Sequence, residues 1–387
     1  MEPKKARVIA YYLPQFHPIP ENDKYWGKGF TEWTNVGNAK PLFRGHYQPR
    51  VPADLGYYDL RLPEVREEQV KLAKEAGIEG FCYWHYWFGG GKELLERPFN
   101  EVVDSGKPDF PFCLGWANHS WSTRTWTSSK TKYKEVMIAE MKYLGEEDHI
   151  KHFYKYLKAF KDKRYIKVDG KLLFVIFAPQ DFVNFPNFKE LWNKLAEKEG
   201  LKGFHFVGIT ENFRIHTSQG KFRNLLSKDN NTSNEFYNYV LSLGFDAINS
   251  RGGNGAQVKS ETALLYYMKR FIQKVLHVDI VLRIKYSKII KNYYIKDDSM
   301  EQVYPTIIPN FDRSPRAGKK TNNIWYGSTP ELFGEMVREA LDLIKDKQDE
   351  HKILFLQSWN EWGEGNYMEP DLKFGHGYIE VLCNLIK

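Results

Sequence analysis

Short apolar runs alternate along the chain with longer stretches in which apolar and polar residues mix. The runs are rich in β-branched and aromatic residues, which is typical of buried strands. We predict strands over Arg7–Pro14, Ile78–Trp84, Phe110–Ala117, Lys171–Ala178, Phe204–Ile209, Phe245–Ile248, Val303–Ile308 and Ile353–Leu356.

The longer stretches repeat their apolar residues at helical spacing. We predict helices over Pro63–Ala76, Leu94–Val103, about Asp148–Asp162, Phe188–Lys198, Glu261 to about Tyr294, and Pro330–Lys345. Two polar or glycine-rich segments, Asn230–Asn234 and Arg251–Gly255, predict mobile loops.

This alternation of eight strands with helices predicts an α/β protein, a closed (β/α)₈ TIM barrel with long βα loops. A doubly wound open sheet is the competing fold, but it would place a glycine-rich turn after the first strand, where Leu13-Pro14-Gln15 stands. No linker or repeat interrupts the pattern, so we expect a single domain over residues 1–387.

The eighth strand leads into the stretch Trp359-Asn-Glu-Trp-Gly-Glu-Gly365, in which two tryptophans stand beside two closely spaced carboxylates. Indole packs well on the C–H face of a sugar, and glycoside cleavage uses two carboxyl groups in complementary protonation states. Glu361 and Glu364 are therefore the candidate catalytic pair. The competing interpretation is that these acids cap a helix N-terminus.

Composition limits the other functional classes. The net charge is +7, from 56 basic and 49 acidic residues, and aromatic residues make up 16% of the chain. The basic excess is concentrated between Leu264 and Lys296, and the remainder is close to neutral, which argues against a nucleic-acid partner. We interpret the basic segment as the sixth barrel helix with a solvated face. The alternatives are an interfacial helix on an anionic membrane and an acidic polysaccharide substrate.

The remaining composition gives expectations about compartment and cofactors. The three cysteines, Cys82, Cys113 and Cys383, are expected to include buried free thiols, which suits a reducing compartment. No signal-peptide pattern precedes the first strand, so we expect a cytoplasmic protein. No Cys/His spacing predicts a metal site, and we expect no cofactor.

Several long motifs, in order along nearly the whole chain, resemble glycoside hydrolase family 99 and, more closely, the WbsX-type proteins associated with O-antigen and capsule biosynthesis. They are Ala10-Tyr-Tyr-Leu-Pro-Gln-Phe-His-Pro18, Gly29-Phe-Thr-Glu-Trp-Thr-Asn35, His46-Tyr-Gln-Pro49, Asp54-Leu-Gly-Tyr-Tyr-Asp59, Gly80-Phe-Cys-Tyr-Trp-His-Tyr-Trp-Phe88, Leu114-Gly-Trp-Ala-Asn118 and Trp359-Asn-Glu-Trp-Gly-Glu-Gly365.

The resemblance implies a retaining endo-glycosidase, typified by α-mannoside cleavage, that acts on a carbohydrate substrate. It implies that Glu361 is the general base on the substrate's own 2-hydroxyl and that Glu364 is the general acid, with a sugar epoxide as intermediate. WbsX-type proteins are also labelled glycosyltransferases, so transfer is the alternative. A sugar-nucleotide transferase would need a diphosphate site, and neither an Asp-x-Asp motif nor a glycine-rich phosphate loop is present. A non-catalytic glycan-binding protein is the third alternative, and it would not require both carboxylates.

The further candidates for sugar contact follow predicted strand ends or lie in the long first loop. They are Tyr11, Tyr12, His17, Trp26, Glu32, Trp33, His46, Tyr83, His85, Trp116, Asn118, Trp121, Glu211, Asn249, Asn310, Trp359 and Asn360. Strand alternation predicts that only one of Tyr11 and Tyr12 faces into the barrel. The competing interpretations are core packing for His85 and loop capping for Asn249 and Asn310.

Overall fold

The structure, a computed structural model, describes residues 4–123, 136–211, 231–260, 268, 271–272, 275, 281–321 and 324–387. Its central feature is a closed barrel in which each strand pairs in parallel with the next and the last pairs with the first. The strands are β1 Arg7–Tyr12, β2 Gly80–Trp87, β3 Phe112–Trp116, β4 Lys171–Ile176, β5 Phe204–Glu211, β6 Ala247–Arg251, β7 Val303–Ile307 and β8 Ile353–Leu356. The predicted (β/α)₈ barrel is confirmed.

Helices follow most strands and cover the barrel. The described α-helices are α1 Pro20–Trp26, α2 Glu32–Asn38, α3 Pro63–Glu75, α4 Arg97–Ser105, α5 Glu146–Phe160, α6 Phe185–Lys198, α7 Asn231–Ser242, α8 Gly253–Ser260, α9 Tyr286–Ile290, α10 Ser314–Ala317, α11 Pro330–Ile344 and α12 Gly377–Ile386. The loops contain short strands of two or three residues, including the antiparallel pair Asn360–Glu361 and Asn366–Tyr367 after β8.

Helix α11 illustrates how the sequence fixes these elements. The hydroxyl of Thr329 caps its N-terminus by accepting a hydrogen bond from the backbone N–H of Leu332, and Pro330 occupies the first turn, where no N–H is needed. Phe333, Val337 and Ala340 recur at helical spacing and are fully buried. The helix therefore buries one apolar stripe against the barrel.

Strand alternation decides which side chains enter the barrel. The hydroxyl of Tyr11 donates to Asn249 on β6, across the barrel, at 2.8 Å. The next hydroxyl, that of Tyr12, donates to Gln69 on α3 at 2.7 Å. Tyr11 therefore faces inward and Tyr12 outward, as the alternation predicts.

Several predictions about the connections are wrong. The long helix predicted from Glu261 to Tyr294 is helical at the described positions 268, 271–272 and 275. Its described C-terminal part is instead a strand at Arg283–Lys285 and the short helix α9. Positions 261–267, 269–270, 273–274 and 276–280 of that prediction lie outside the described residues. Parts of both predicted loops are helical, in α7 and α8.

The described end of the basic segment, residues 281–296, buries its apolar side chains. Tyr286, Ile289, Ile290 and Tyr293 pack in a small core cluster with Trp325. An apolar face for membrane insertion is therefore not available there. Among the described residues, every helix is too short or too polar to cross a lipid bilayer.

Candidate active site

A cavity of about 570 Å³ opens at the face of the barrel where the strands end. In barrel enzymes, this face carries the catalytic groups. Its aromatic walls come from Trp84, Tyr86, Trp121, Phe177, Phe311 and Trp325, and its charged lining comes from Arg251, Arg313, Arg316, Glu361 and Glu364. Both predicted catalytic carboxyl groups therefore lie in one aromatic-lined cavity.

The loop after β8 is anchored to the first strand before it reaches the two carboxyl groups. The backbone N–H of Trp359 donates to the carbonyl of Tyr11 at 2.8 Å. The side-chain amide of Asn360 accepts from the N–H of Leu13 at 2.7 Å and donates to its carbonyl at 3.0 Å. The hydroxyl of Ser358 accepts from the N–H of Glu361 at 3.0 Å. These bonds fix the position of the Glu361 backbone.

Glu361 is only 9% exposed, and its carboxyl group accepts a hydrogen bond from the indole N–H of Trp84 at 3.0 Å. Burial, with the nearby charge of Glu364, raises the pKa of Glu361 to about 7. Near neutral pH this carboxyl group therefore holds a proton for much of the time.

Glu364 has the opposite environment. Its carboxylate Oε1 lies 2.5 Å from Nη1 of Arg316 and 3.2 Å from Nε of Arg313. Burial alone would raise the pKa of Glu364, but the positive charges of Arg316, Arg313 and Arg251 outweigh it and lower the pKa. Neighbouring carboxyl groups with divergent pKa values are the arrangement that acid–base catalysis on a glycoside requires.

Arg316 connects this pair to the first loop. Its guanidinium Nε and Nη2 lie 3.0 Å and 2.9 Å from Oε2 of Glu32, which is fully buried. Glu32 also accepts from the side-chain amide of Asn35 at 3.2 Å. A Cβ on Gly363 would collide with the same carboxylate, so the turn between Glu361 and Glu364 requires glycine there.

A family model described as glycosyltransferase WbsX matches residues 8–382. The chain belongs to the WbsX family. Two curated proteins from strains of Xanthomonas campestris pv. campestris, both described as uncharacterized protein WxcX, are 31% identical over 379 residues, which is 97% of this chain and 49% of theirs. The chain thus spans about half the length of the curated relatives it matches.

Solved structures share the fold. A glycoside hydrolase-like protein matches with a TM-score of 0.59 and 13% identity, covering 100% of this chain and 95% of its own. The GH99 endo-alpha-mannosidase from Bacteroides thetaiotaomicron matches with a TM-score of 0.51 and 13% identity, covering 98% and 96%. This WbsX family member therefore has a GH99-like barrel.

In this WbsX family member, Trp121 lines the cavity with the two glutamates. Tyr11 and Asn249 form the layer beneath it: Tyr11 stacks on Trp84 at 4.6 Å between ring centroids, and the amide of Asn249 donates to Thr306 at 2.8 Å. The side chain of Asn249 therefore does not line the open cavity. Its amide bonds to the neighbouring strand β7 and does not cap a loop.

Other predicted contact residues face the surrounding helices, because they occupy the outward positions of their strands. Tyr83 packs against Phe99 of α4, with ring centroids 5.2 Å apart. Nε2 of His85 lies 2.6 Å from Nε2 of His152 on α5. Trp116 packs on the same histidine at 4.8 Å. Together with Tyr12, these residues pack at the barrel–helix interface and do not line this cavity.

The predicted residues of the first loop, His17, Trp26, Glu32 and Trp33, do not line this cavity. The indole N–H of Trp33 donates to the carbonyl of Tyr58 at 2.7 Å, and Trp26 stacks on Phe30 at 5.2 Å. His17 is buried, and burial lowers its pKa to about 4. Glu32, described above, belongs to this group.

A smaller cavity of about 130 Å³ lies beside the first and is lined by His46 and Asn310. Nε2 of His46 lies 2.8 Å from Oδ2 of Asp312, and Oδ1 of Asn310 is buried without a hydrogen-bond partner among the described residues. These two predicted residues therefore share a polar space that is separate from the carboxyl pair.

The last predicted residues hold backbone or packing positions. Asn118 donates to the carbonyl of Ala178 at 2.9 Å and accepts from its N–H at 2.8 Å. Trp359 is fully buried against Phe81, and Asn360 ties the loop to β1 as described. Glu211 ends β5, and its side chain lies outside the described residues.

Sequence reasoning missed the arginines. Arg251 ends β6, and Arg313 and Arg316 follow β7, which are the positions where a barrel places functional groups. Trp84 and Tyr86 occupy inward positions of β2 and were also not selected. The available signal was the alternation of inward and outward residues at each strand end.

Proposed function

We propose that this protein is a retaining, endo-acting glycoside hydrolase that cleaves an α-linked, mannoside-like bond in a bacterial polysaccharide or lipid-linked glycan. The observation that carries the proposal is the pair Glu361 and Glu364, which line one aromatic-walled cavity and have pKa values displaced in opposite directions. Such a pair supplies one proton and one negative charge near neutral pH, which is what cleavage of an acetal consumes.

The roles that the resemblance implies require the proton to be on Glu364, which gives it to the leaving oxygen while Glu361 takes the proton of the 2-hydroxyl. In the protein without substrate, the pKa values put the single proton of the pair on Glu361 instead. We therefore propose that substrate binding moves this proton within the pair before the bond breaks. Arg316, the main charge that keeps Glu364 ionised, must weaken its contact for that to happen.

The dependence of the rate on the leaving group tests both the hydrolase activity and the roles of Glu361 and Glu364. Glu361→Gln, Glu364→Gln and wild type are compared on a dinitrophenyl α-glycoside, which needs no protonation to leave, and on an oligosaccharide, which does. We expect Glu364→Gln to lose roughly 100- to 10,000-fold on the oligosaccharide and little on the activated glycoside. Glu361→Gln should lose activity on both. Glu335→Gln, at an exposed position of α11, is the matched control.

The opposite pattern would assign the acid role to Glu361. Full activity of both variants would refute a catalytic pair altogether. Turnover that requires a sugar nucleotide would instead support glycosyl transfer, the activity in the family model's description, which the cationic lining of the cavity could serve by holding a diphosphate.

The compartment and the extent of the domain stay predictions: cytoplasmic, and one domain over residues 1–387. Peripheral contact with an anionic membrane through residues 264–296 also stays a prediction. Its described part offers exposed cations, such as Arg283, Lys285 and Lys288, and exposed apolar side chains at Met268, Phe271 and Val275. Equal flotation with neutral and anionic liposomes would contradict it.

A further inference from the structure

A third glutamate, Glu369, follows the carboxyl pair closely in sequence but lies outside the cavity that the pair lines. It is only 3% exposed, and it is not part of that cavity's lining. Its carboxylate accepts hydrogen bonds from the indole N–H of Trp362 at 2.6 Å, the hydroxyl of Tyr58 at 2.9 Å and the side-chain amide of Gln69 at 2.7 Å. Three uncharged donors from separate parts of the chain thus converge on one buried carboxylate.

The carboxyl group of Glu369 is costly to place in a protein core. Burial raises its pKa to about 7, although the hydrogen bonds that it accepts, that of Trp362 foremost, act in the opposite direction. An apolar side chain would fill the same space without the desolvation penalty. Buried ionisable groups of this kind are concentrated at functional sites. The roles assigned to Glu361 and Glu364 do not use Glu369, so its contacts must indicate what it does.

Trp362 connects Glu369 to the catalytic pair. It follows Glu361 directly and begins the short turn that ends at Glu364. Its indole is fully buried and stacks on Tyr367, with ring centroids 3.7 Å apart. Tyr367 belongs to the two-residue strand that pairs with the strand carrying Glu361. The hydrogen bond from Trp362 to Glu369 therefore fixes the side chain around which this turn is built.

The rest of the turn has a separate anchor. A Cβ on Gly363 would collide with the carboxylate of Glu32, so the middle of the turn packs directly on that group. Two buried carboxylates thus hold the turn, Glu32 at its middle and Glu369 at its start. Because the turn separates the two catalytic carboxyl groups, a shift of its first residue would change the distance between them. A misplacement of about 1 Å costs an enzyme on the order of 100-fold in rate.

We propose that Glu369 is a positioning residue for the cleavage reaction: it holds the indole of Trp362 and thereby sets the relative position of the two catalytic carboxyl groups. This assignment rests on the proposed function and adds to it a residue that does not touch the substrate. The competing interpretation is that Glu369 only stabilises the fold. In that case its replacement would leave the titration and the turnover of the folded enzyme unchanged.

The titration of Glu361 tests the assignment without a substrate. It is followed by NMR on protein with isotope-labelled glutamate carboxyl groups and assigned by comparison with Glu361→Gln. We expect Glu369→Gln to lower the pKa of Glu361 by about half a pH unit or more, because a looser turn moves it away from the charge of Glu364. Asp298→Asn is the matched control and should leave the titration unchanged. Asp298 is also a buried carboxyl group, accepts from the hydroxyl of Tyr237 at 2.8 Å and does not line the cavity.

A double-variant cycle shows whether Glu369 acts through Trp362. Trp362→Phe keeps a ring but removes the N–H, so Glu369→Gln should add little in that background. A through-space effect of the lost charge would instead appear in full in both backgrounds, and that result would overturn the assignment. A titration in Glu369→Gln that matches wild type would overturn it as well. If Glu369→Gln does not fold, Glu369→Asp, which keeps the charge but is one methylene shorter, replaces it in the same cycle.

Turnover is measured on α-mannan with the same folded variants. Glu369→Gln should lower kcat by about 10- to 100-fold and leave KM within about twofold, because it misplaces the pair without touching the substrate. Asp298→Asn should retain both constants. A raised KM with unchanged kcat would place Glu369 in substrate binding and overturn the assignment. A wild type that cleaves no glycan contradicts the proposed hydrolase, whereas the Glu361 titration still decides the role of Glu369.

Discussion

Replacing Arg316 by glutamine removes the cation that joins Glu32 to Glu364. Glu32 is fully buried, and without Arg316 its remaining described hydrogen bond comes from Asn35. Removing one partner of a buried ion pair costs about 3–5 kcal/mol, because the remaining charge is left desolvated. We therefore expect Arg316→Gln to lower the free energy of unfolding by about that amount, measured by urea denaturation at pH 7.5.

A double-variant cycle separates the pair from the rest of the loop. Glu32→Gln should destabilise the protein for the same reason, and the double variant should lose less than the sum of the two single losses. Lys194→Gln is the control, because its ion pair with Glu190 is shorter, at 2.6 Å against 2.9 Å, but exposed. It should leave the unfolding midpoint unchanged. If Arg316→Gln is no more destabilising than Lys194→Gln, the buried ion pair does not contribute as argued.

Three further predictions follow from the same geometry. Because Glu361 has a pKa of about 7 and its partner's pKa is lowered, kcat/KM should be highest between the two values and fall above about pH 7; a flat profile to pH 9 would contradict this. Burial lowers the pKa of His85 to about 3, whereas in the unfolded chain it is near 6.5. The unfolded state therefore binds an extra proton as pH falls below 6.5, and the protein loses stability. His85→Gln should reduce the slope of the unfolding free energy against pH, between pH 6 and 4, by about 1.4 kcal/mol per pH unit. Gly363→Ala should destabilise by about 1–3 kcal/mol in thermal or urea unfolding through its collision with Glu32, whereas Gly37→Ala, whose Cβ would meet nothing within 4 Å, should not.

The barrel could be predicted because its strands are short, continuous apolar runs, which are typical of buried parallel strands. The ends of those strands were harder to predict. Strand β2 was predicted to stop at Trp84, yet it continues to Trp87. His85 still pairs with β3, and Tyr86 and Trp87 pair with the short antiparallel strand Glu93–Leu94. That extension places Tyr86 in the cavity wall and turns His85 toward α5. Because the predicted strand was three residues too short, His85 was selected as a cavity residue in place of Tyr86.

The helices of the first loop could not be predicted from periodicity. Helices α1 and α2 are seven residues each, and α2 is fixed by a capping box at Thr31 rather than by an apolar stripe. The carboxyl pair could be identified because its tryptophans and acids are adjacent in sequence. The arginines could not, because Arg251 and Arg316 join the pair only when strands 6, 7 and 8 close side by side.

The first and last loops of the barrel form one unit, and this explains why so many of the chain's distinctive motifs lie away from the cavity. Asn360 binds the backbone of Leu13, Trp33 packs on Trp362 at 5.4 Å, and Glu32 neutralises the arginine that ionises Glu364. The protonation of the pair therefore depends on a residue that lies far from it in sequence and does not line the cavity. Changes in the first loop should alter the pH dependence of activity before they alter the affinity for substrate.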